Sequence, residues 1–158
     1  MQPPTNIAIL GSTGSIGKNS LQVVSELDGF NLFGISGHSQ VDSLVEQARS
    51  FGPEQVVFSN SQRADQIRPD SLPGISVGFG SEAVTRLAGH ESVDIVVAAI
   101  MGRAGLESSW AAVESGKRLA LANKETLVVA GQQIQNLAKK SAAELIPVDS
   151  EHLSLIHI

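Results

Sequence analysis

Short apolar segments rich in β-branched residues recur along the chain and alternate with segments of helical periodicity. One of them is apolar at every position from Ile95 to Ile100, which is typical of a parallel strand buried on both faces. We therefore predict strands over 6–10, 30–36, 55–59, 75–79, 93–100, 118–122 and 144–148. Helices are predicted over 15–27, 41–51, 81–89, 105–115 and 125–142. This alternation predicts an α/β fold with a mostly parallel sheet.

Glycine and proline positions indicate where the elements end. Each of the first four predicted helices ends at or just before a glycine that can take the left-handed conformation, namely Gly29, Gly52, Gly89 and Gly116. Prolines and glycines are concentrated in the segment 60–80, which predicts loops around one short strand there.

The turn after the first strand carries the sequence GSTGSIG (11–17) and opens a helix. Such a turn uses glycines for close approach and presents backbone N–H groups to a diphosphate, while Ser12, Thr13 and Ser15 can add hydroxyl donors. A nucleoside-triphosphatase loop is excluded, because it needs glycine at position 12 and Ser or Thr at position 19. This chain has Ser12 and Asn19 at these positions. A glycine turn with a purely structural role remains the alternative.

The end of the second strand selects the dinucleotide in folds of this kind. An NAD-binding chain usually places Asp or Glu there, whereas this chain has His38, Ser39 and Gln40, and its first acid is Asp42. Without a carboxylate nothing repels a 2′-phosphate, and these three side chains can donate to one, so NADP is favoured over NAD. A plain surface loop is the alternative.

Two polar clusters follow later strands. Asn123-Lys124-Glu125 comes after the strand 118–122, where Asn123 could simply cap a helix and Glu125 suits its first turn. That interpretation leaves Lys124 unexplained, and a cation there could hold a substrate oxygen or phosphate. Asp149 and Glu151 follow the last strand, and in extended chain they point the same way.

Paired carboxylates without cysteine suit Mg²⁺ or Mn²⁺ rather than zinc. Two carboxylates are too few for a complete metal site, so further ligands must come from elsewhere. A solvated loop is the alternative for this cluster.

Composition narrows the function classes. The 158 residues fit one compact domain, and the absence of Cys and Tyr excludes thiol chemistry, including that of semialdehyde dehydrogenases, and the Tyr/Lys pair of short-chain dehydrogenases. The net charge is −5 and the eleven Lys and Arg residues are scattered, which argues against a nucleic-acid or membrane partner. No signal or transit peptide is recognisable, so a bacterial-type cytoplasmic protein is expected.

Four motifs in this order resemble the amino-terminal region of the 1-deoxy-D-xylulose 5-phosphate reductoisomerase family: GSTGSIG (11–17), AAIMGRAGL (98–106), LANKETLV (121–128) and PVDSEH (147–152). The resemblance implies a Rossmann-like, doubly wound sheet with helices on both faces. It also implies conversion of a small phosphorylated sugar, 1-deoxy-D-xylulose 5-phosphate, to 2-C-methyl-D-erythritol 4-phosphate with NADPH and a divalent metal. A homodimer of the full-length protein is expected.

The resemblance also implies roles for single residues. NADPH would be contacted through the turn by Thr13, Gly14, Ser15 and Ile16, and on its nicotinamide side by Asn123 and Glu125. His38-Ser39-Gln40 stands where family members often carry Gly-Lys-Asn.

The same resemblance places substrate and metal residues in the two later clusters. Lys124 and Glu151 would be catalytic and would contact substrate together with Ser150. Asp149 and Glu151 would be metal ligands.

The chain departs from the family after PVDSEH, where the family continues into Ser-Ala-Ile-Phe-Gln and a longer catalytic portion. We therefore expect residues 1–152 to form an NADPH-binding domain, residues 153–158 to be a non-native tail, and the catalytic and C-terminal domains to be absent. Such a fragment should bind NADPH without turnover. A non-catalytic NAD(P)-binding sensor or partner module is the alternative function.

Overall fold

The computed structural model describes residues 2–122 and 124–148, apart from the side chains of Pro69, Lys124 and Glu125. Strands and helices alternate along these ranges as predicted. The strands are β1 (Thr5–Leu10), β2 (Phe30–Gly37), β3 (Gln55–Phe58), β4 (Ser76–Phe79), β5 (Ile95–Ala98), β6 (Arg118–Leu121) and β7 (Glu144–Pro147). The helices are α1 (Ser15–Glu26), α2 (Val41–Phe51), α3 (Ser81–Ala88), α4 (Leu106–Glu114) and α5 (Lys124–Ser141).

The strands form one seven-stranded sheet in the order β4-β3-β2-β1-β5-β6-β7. Every strand pair within the described ranges is parallel, so the predicted mostly parallel sheet is confirmed. β1 is central, and its Ile9 is level with Ile35 of β2 on one side and Val97 of β5 on the other. The chain first builds outward from β1 to β4 and then returns to the opposite side of β1. The strand order therefore reverses between β1 and β5.

Two hydrophobic cores lie on opposite faces of this sheet. Ile7 and Ile9 of β1 belong to the core covered by α1 and α2, whereas Ala8 and Leu10 belong to the core covered by α3, α4 and α5. All four side chains are fully buried. Consecutive residues of a strand point to opposite faces, so a continuously apolar strand is what a sheet with helices on both faces requires. The predicted two-sided arrangement is confirmed.

Three local features differ from the predictions. Gly29, Gly52 and Gly116 adopt positive φ after their helices, but Gly89 has φ −95°. α5 is interrupted at Ala130, whose φ of −131° and ψ of 19° are not helical. The segment predicted as loops contains two short 3₁₀ helices, Ser61–Gln66 and Pro69–Ser71, before β4. None of the helices within the described ranges combines the length and apolar character that a membrane crossing requires.

Replacing Leu87 by alanine should lower the free energy of unfolding by about 2–5 kcal/mol, because its side chain is 1% exposed in the second core. Leu87 lies directly over Gly34 of β2, where a Cβ would come within 2.5 Å of its Cδ1 atom. Leu127→Ala, at a position 38% exposed, is the control and should cost less than about 1 kcal/mol. Urea unfolding measures both, and equal losses would contradict this packing.

Candidate functional site

A cleft of about 450 Å³ opens at the carboxyl ends of the strands, where the strand order reverses. It is lined by the turn after β1, the loop after β2, Ser59 after β3, the first half of α3 and residues between Ala99 and Ser108. Crevices at such reversal points are where open parallel sheets bind ligands. The fold thus brings the predicted glycine turn and the predicted loop after β2 into one site.

Two glycines of the turn hold it close to its neighbours. Gly11 has φ +82°, and a Cβ there would lie 2.6 Å from the carbonyl oxygen of Ala99, after β5. A Cβ at Gly17 would lie 2.2 Å from the carbonyl oxygen of Gly11. Any larger residue at either position must push backbone aside. Gly17 therefore lets the first turn of α1 pack against the end of β1, and Gly11 lets the turn pack against the chain after β5.

The amino terminus of α1 faces the cleft with open backbone donors. Gly14 is its N-cap, in extended conformation, and within the described chain no side chain caps this helix end. The first backbone bond of the helix runs from Lys18 N to Gly14 O over 2.9 Å, so the amides of Ser15, Ile16 and Gly17 precede it. No acidic residue occupies the first turn. Together the amides and the positive helix end can hold an anion such as a diphosphate.

The hydroxyl groups of the turn do not all serve this site. Thr13 lines the cleft, and Ser15 is exposed at the start of α1. Ser12, which we expected to add a donor for the ligand, is instead fully buried, and its Oγ donates to Oε1 of Gln47 over 2.7 Å. That expectation is wrong for Ser12, because its side chain points to α2 rather than to the cleft.

The loop after β2 lines the other end of the cleft with His38, Ser39 and Gln40, all exposed. His38 Nδ1 lies 2.8 Å from Ser59 Oγ, and that hydroxyl is also 3.2 Å from the carbonyl oxygen of Gly37. The hydroxyl has one proton, so it donates to one of these two acceptors at a time. When Ser59 donates to Nδ1, the ring proton is on Nε2, which can then donate to an acceptor such as a phosphate oxygen.

Sequence reasoning missed Ser59, together with Ser81, Val84 and Thr85 of α3, which also line the cleft. The available signal was position: Ser59 directly follows β3, and β3 pairs with β2 in parallel. The carboxyl ends of neighbouring parallel strands lie at the same edge of the sheet. Following every strand to its end would therefore have found Ser59.

The two later clusters are only partly within the described residues. Asn123, Asp149, Ser150 and Glu151 lie outside them, and of Lys124 and Glu125 only the backbone, at the start of α5, is described. Val148 N donates to Leu121 O over 2.9 Å, so the chain leaves β6 and β7 at the same sheet edge as the cleft. Within the described ranges, no group of three His, Cys, Asp or Glu residues could hold a metal. The roles of these six residues stay predictions.

Comparison with known proteins decides the family. Residues 7–131 match the family model described as 1-deoxy-D-xylulose 5-phosphate reductoisomerase. The chain belongs to the 1-deoxy-D-xylulose 5-phosphate reductoisomerase family. The reductoisomerase of Phocaeicola vulgatus is 45% identical over 152 residues, which cover 94% of this chain and 40% of that protein. The reductoisomerase of Rhodopirellula baltica is 43% identical and is covered to 38%. This chain thus spans about two fifths of the length of these curated relatives.

Solved reductoisomerase structures share the fold. A DOX-P reductoisomerase in complex with magnesium is 40% identical, with a TM-score of 0.87, and is matched over 94% of this chain and 38% of its own. The reductoisomerase of Zymomonas mobilis in complex with NADPH is 32% identical with the same TM-score, over 94% and 40% of the two chains. A biliverdin reductase from Synechocystis, 19% identical with a TM-score of 0.67, shares the fold alone.

Gly17→Ala should destabilise the protein by about 1–3 kcal/mol, because the new Cβ collides with backbone atoms of Gly11 and Ser12. The sign is informative, since alanine is about 1 kcal/mol more favourable than glycine within an unobstructed helix. Gly14→Ala is the control, because a Cβ there comes no closer than 3.7 Å to Gly11 O, and it should cost about 1 kcal/mol or less. Urea unfolding followed by the fluorescence of Trp110 gives both values. A more stable Gly17→Ala variant would contradict the close packing.

Proposed function

We propose that this chain binds NADPH in the cleft, as the cofactor-binding part of an enzyme that converts 1-deoxy-D-xylulose 5-phosphate to 2-C-methyl-D-erythritol 4-phosphate. One observation carries this proposal: two features line the same cleft of about 450 Å³. The first is the start of α1, which no side chain within the described residues caps and which glycines pack closely against β1. The second is the loop after β2, which has no carboxylate. The NADPH complex of the Zymomonas mobilis relative supports the choice of ligand.

The residues around the cleft fit this dinucleotide. Its diphosphate would lie on the backbone of Thr13, Gly14, Ser15 and Ile16. The glycine at position 11 allows this turn to form, because a Cβ there would collide with the backbone of Ala99. Its 2′-phosphate would be held by His38, Ser39 and Gln40. The nearest acid along the chain after this loop is Asp42, in the first turn of α2. The turn and this loop therefore present no carboxylate to the cleft, whereas Glu107, in the first turn of α4, also lines it.

The reactive end is proposed from the family pattern. Asn123 and Glu125 would bound the nicotinamide, which supplies a hydride when NADPH is bound. Lys124, with Ser150 and Glu151, would orient the phosphorylated sugar. Asp149 and Glu151 would be ligands to Mg²⁺ or Mn²⁺, a use supported by the donor chemistry of two carboxylates and by the magnesium complex of a relative. Homodimer assembly and a cytoplasmic location stay predictions.

Binding of the two dinucleotides tests the cofactor site. The 158-residue chain should bind NADPH more tightly than NADH, measured by fluorescence titration of the reduced nicotinamide. His38→Ala should raise the Kd for NADPH about tenfold, because a hydrogen bond to a charged phosphate is lost, and should leave the Kd for NADH nearly unchanged.

His90→Ala is the matched control, since the His90 ring packs against Phe33 at a centroid distance of 4.7 Å and lies outside the residues that line the cleft. It should leave the ratio of the two Kd values as in the wild type. Failure of the wild-type chain to bind NADPH would overturn the proposed function. Equal weakening of both dinucleotides by His38→Ala would remove His38 from the 2′-phosphate site.

The 158-residue chain should not turn over 1-deoxy-D-xylulose 5-phosphate with NADPH and Mg²⁺ or Mn²⁺. The relatives use about 60% of their length for residues that this chain does not match, and its two candidate carboxylates are too few for a metal site. Loss of the absorbance of reduced nicotinamide reports turnover, with a full-length relative as the positive control. Sustained turnover by the purified chain would contradict this expectation.

A further inference from the structure

We propose that Gln47, in the middle of α2, is a positioning residue that sets the glycine turn for the diphosphate of the cofactor. The inference rests on the proposed binding of NADPH and assigns a role to a residue outside the cleft. Gln47 is half-buried and lies 35 positions from the residue it holds. Its carboxamide makes two hydrogen bonds, both to Ser12, the second residue of the turn.

The chemistry of Ser12 fixes the orientation of this carboxamide. Gln47 Nε2 donates to the backbone carbonyl oxygen of Ser12 over 2.9 Å, and a carbonyl oxygen can only accept. Gln47 Oε1 must then accept from the Ser12 hydroxyl, over 2.7 Å. The amide therefore holds the side chain and the main chain of one residue at the same time.

Ser12 can act on a ligand only through the backbone of the turn. Its side chain is fully buried and points away from the cleft, whereas the two residues that follow it, Thr13 and Gly14, line the cleft. The turn is also tied to β2, because the amides of Gly11 and Ser12 donate to Ser36 O over 3.1 and 2.8 Å. Gln47 provides the complementary restraint from α2. Together the two restraints fix where the open amides of the turn lie.

α2 also supports the other end of the cleft. It begins directly after Gln40, and Leu44 N donates to Gln40 O over 3.0 Å. The Leu44 side chain lies beside Gly37, where a Cβ would come within 3.1 Å of it. One helix therefore sets the spacing between the turn for the diphosphate and the loop for the 2′-phosphate.

Substitution of Gln47 tests this role, because NADPH and NADH share the diphosphate and differ in the 2′-phosphate. Gln47→Met keeps the length of the side chain and removes both hydrogen bonds. It should raise the Kd of both dinucleotides about fivefold, equivalent to about 1 kcal/mol, and leave their ratio unchanged. Binding should still saturate at one dinucleotide per chain. Gln132→Met is the matched control, since Gln132 is exposed and, among the residues that the structure describes, its side chain bonds to Asn136 on its own helix.

Two further variants separate positioning from folding. Gln47→Glu keeps the size but cannot donate to Ser12 O, so it should weaken both dinucleotides at least as much. Ser12→Ala removes the hydroxyl, which bonds to Gln47 and lies 3.3 Å from Ser36 O, but it leaves the bond from Gln47 Nε2 to Ser12 O and should have a smaller effect. Combined with Gln47→Met, it should add little, because the two substitutions remove the same contact.

The outcomes distinguish this inference from the proposed function. Unchanged Kd values in Gln47→Met and Gln47→Glu would overturn the positioning role while NADPH binding stands. The same conclusion follows if these variants keep the wild-type Kd but bind less than one dinucleotide per chain. Weakening of NADPH alone would show that α2 acts through the 2′-phosphate loop instead, and would also overturn it. A wild-type chain that binds neither dinucleotide would overturn the proposed function and this inference with it.

Discussion

The contact between Gly17 and Gly11 is the constraint on which the cleft depends. The start of α1 lies so close to the end of β1 that the space for a Cβ at Gly17 is already filled by the carbonyl oxygen of Gly11. This contact brings the first turn of the helix to the edge of the sheet, with the amides that precede Lys18 turned to the cleft. A side chain between the two elements would move those amides away from any ligand. The position of the site therefore depends on glycine, which has no side chain, at positions 11 and 17.

The order of the strands then determines where that helix start points. Because β1 lies between β2 and β5, the connection after β1 crosses one face of the sheet, and the connections after β4 and β5 cross the other. The loops at the carboxyl ends of β1 and β5 diverge, and the space between them is the cleft. Ile7, Ala8, Ile9 and Leu10 are fully buried and alternate between the two cores, and this packing keeps β1 at the centre. The central position of β1 thus determines both the packing of the two cores and the position of the cleft.

The sequence predicts those parts of the fold that depend on local pattern. Consecutive apolar residues from Ile95 identify a strand buried on both faces, and the glycines at 11 and 17 identify the turn, because both patterns record steric requirements of the chain itself. It does not predict which hydroxyl groups face a ligand. Ser12 and Thr13 are adjacent and chemically alike, and only the position of α2, 35 residues away, turns Ser12 inward to Gln47. Ser59 was missed because its partner His38 follows the neighbouring strand β2, and only the pairing of β2 with β3 brings the two residues together. The bend at Ala130 likewise has no breaker residue at its own position.

The two ends of the cleft differ in what recognises charge. At the turn, backbone amides and a helix end are available to an anion, so a site there tolerates most side chains and requires only glycines at the contact points. At the loop after β2, the proposed recognition rests on the side chains of His38, Ser39 and Gln40, and His38 contacts Ser59. A backbone site leaves a motif in the sequence, whereas a side-chain site can be built from many residue combinations. That difference explains why the dinucleotide-binding turn is readable from sequence alone, while the preference between NADPH and NADH must be argued from hydrogen bonds.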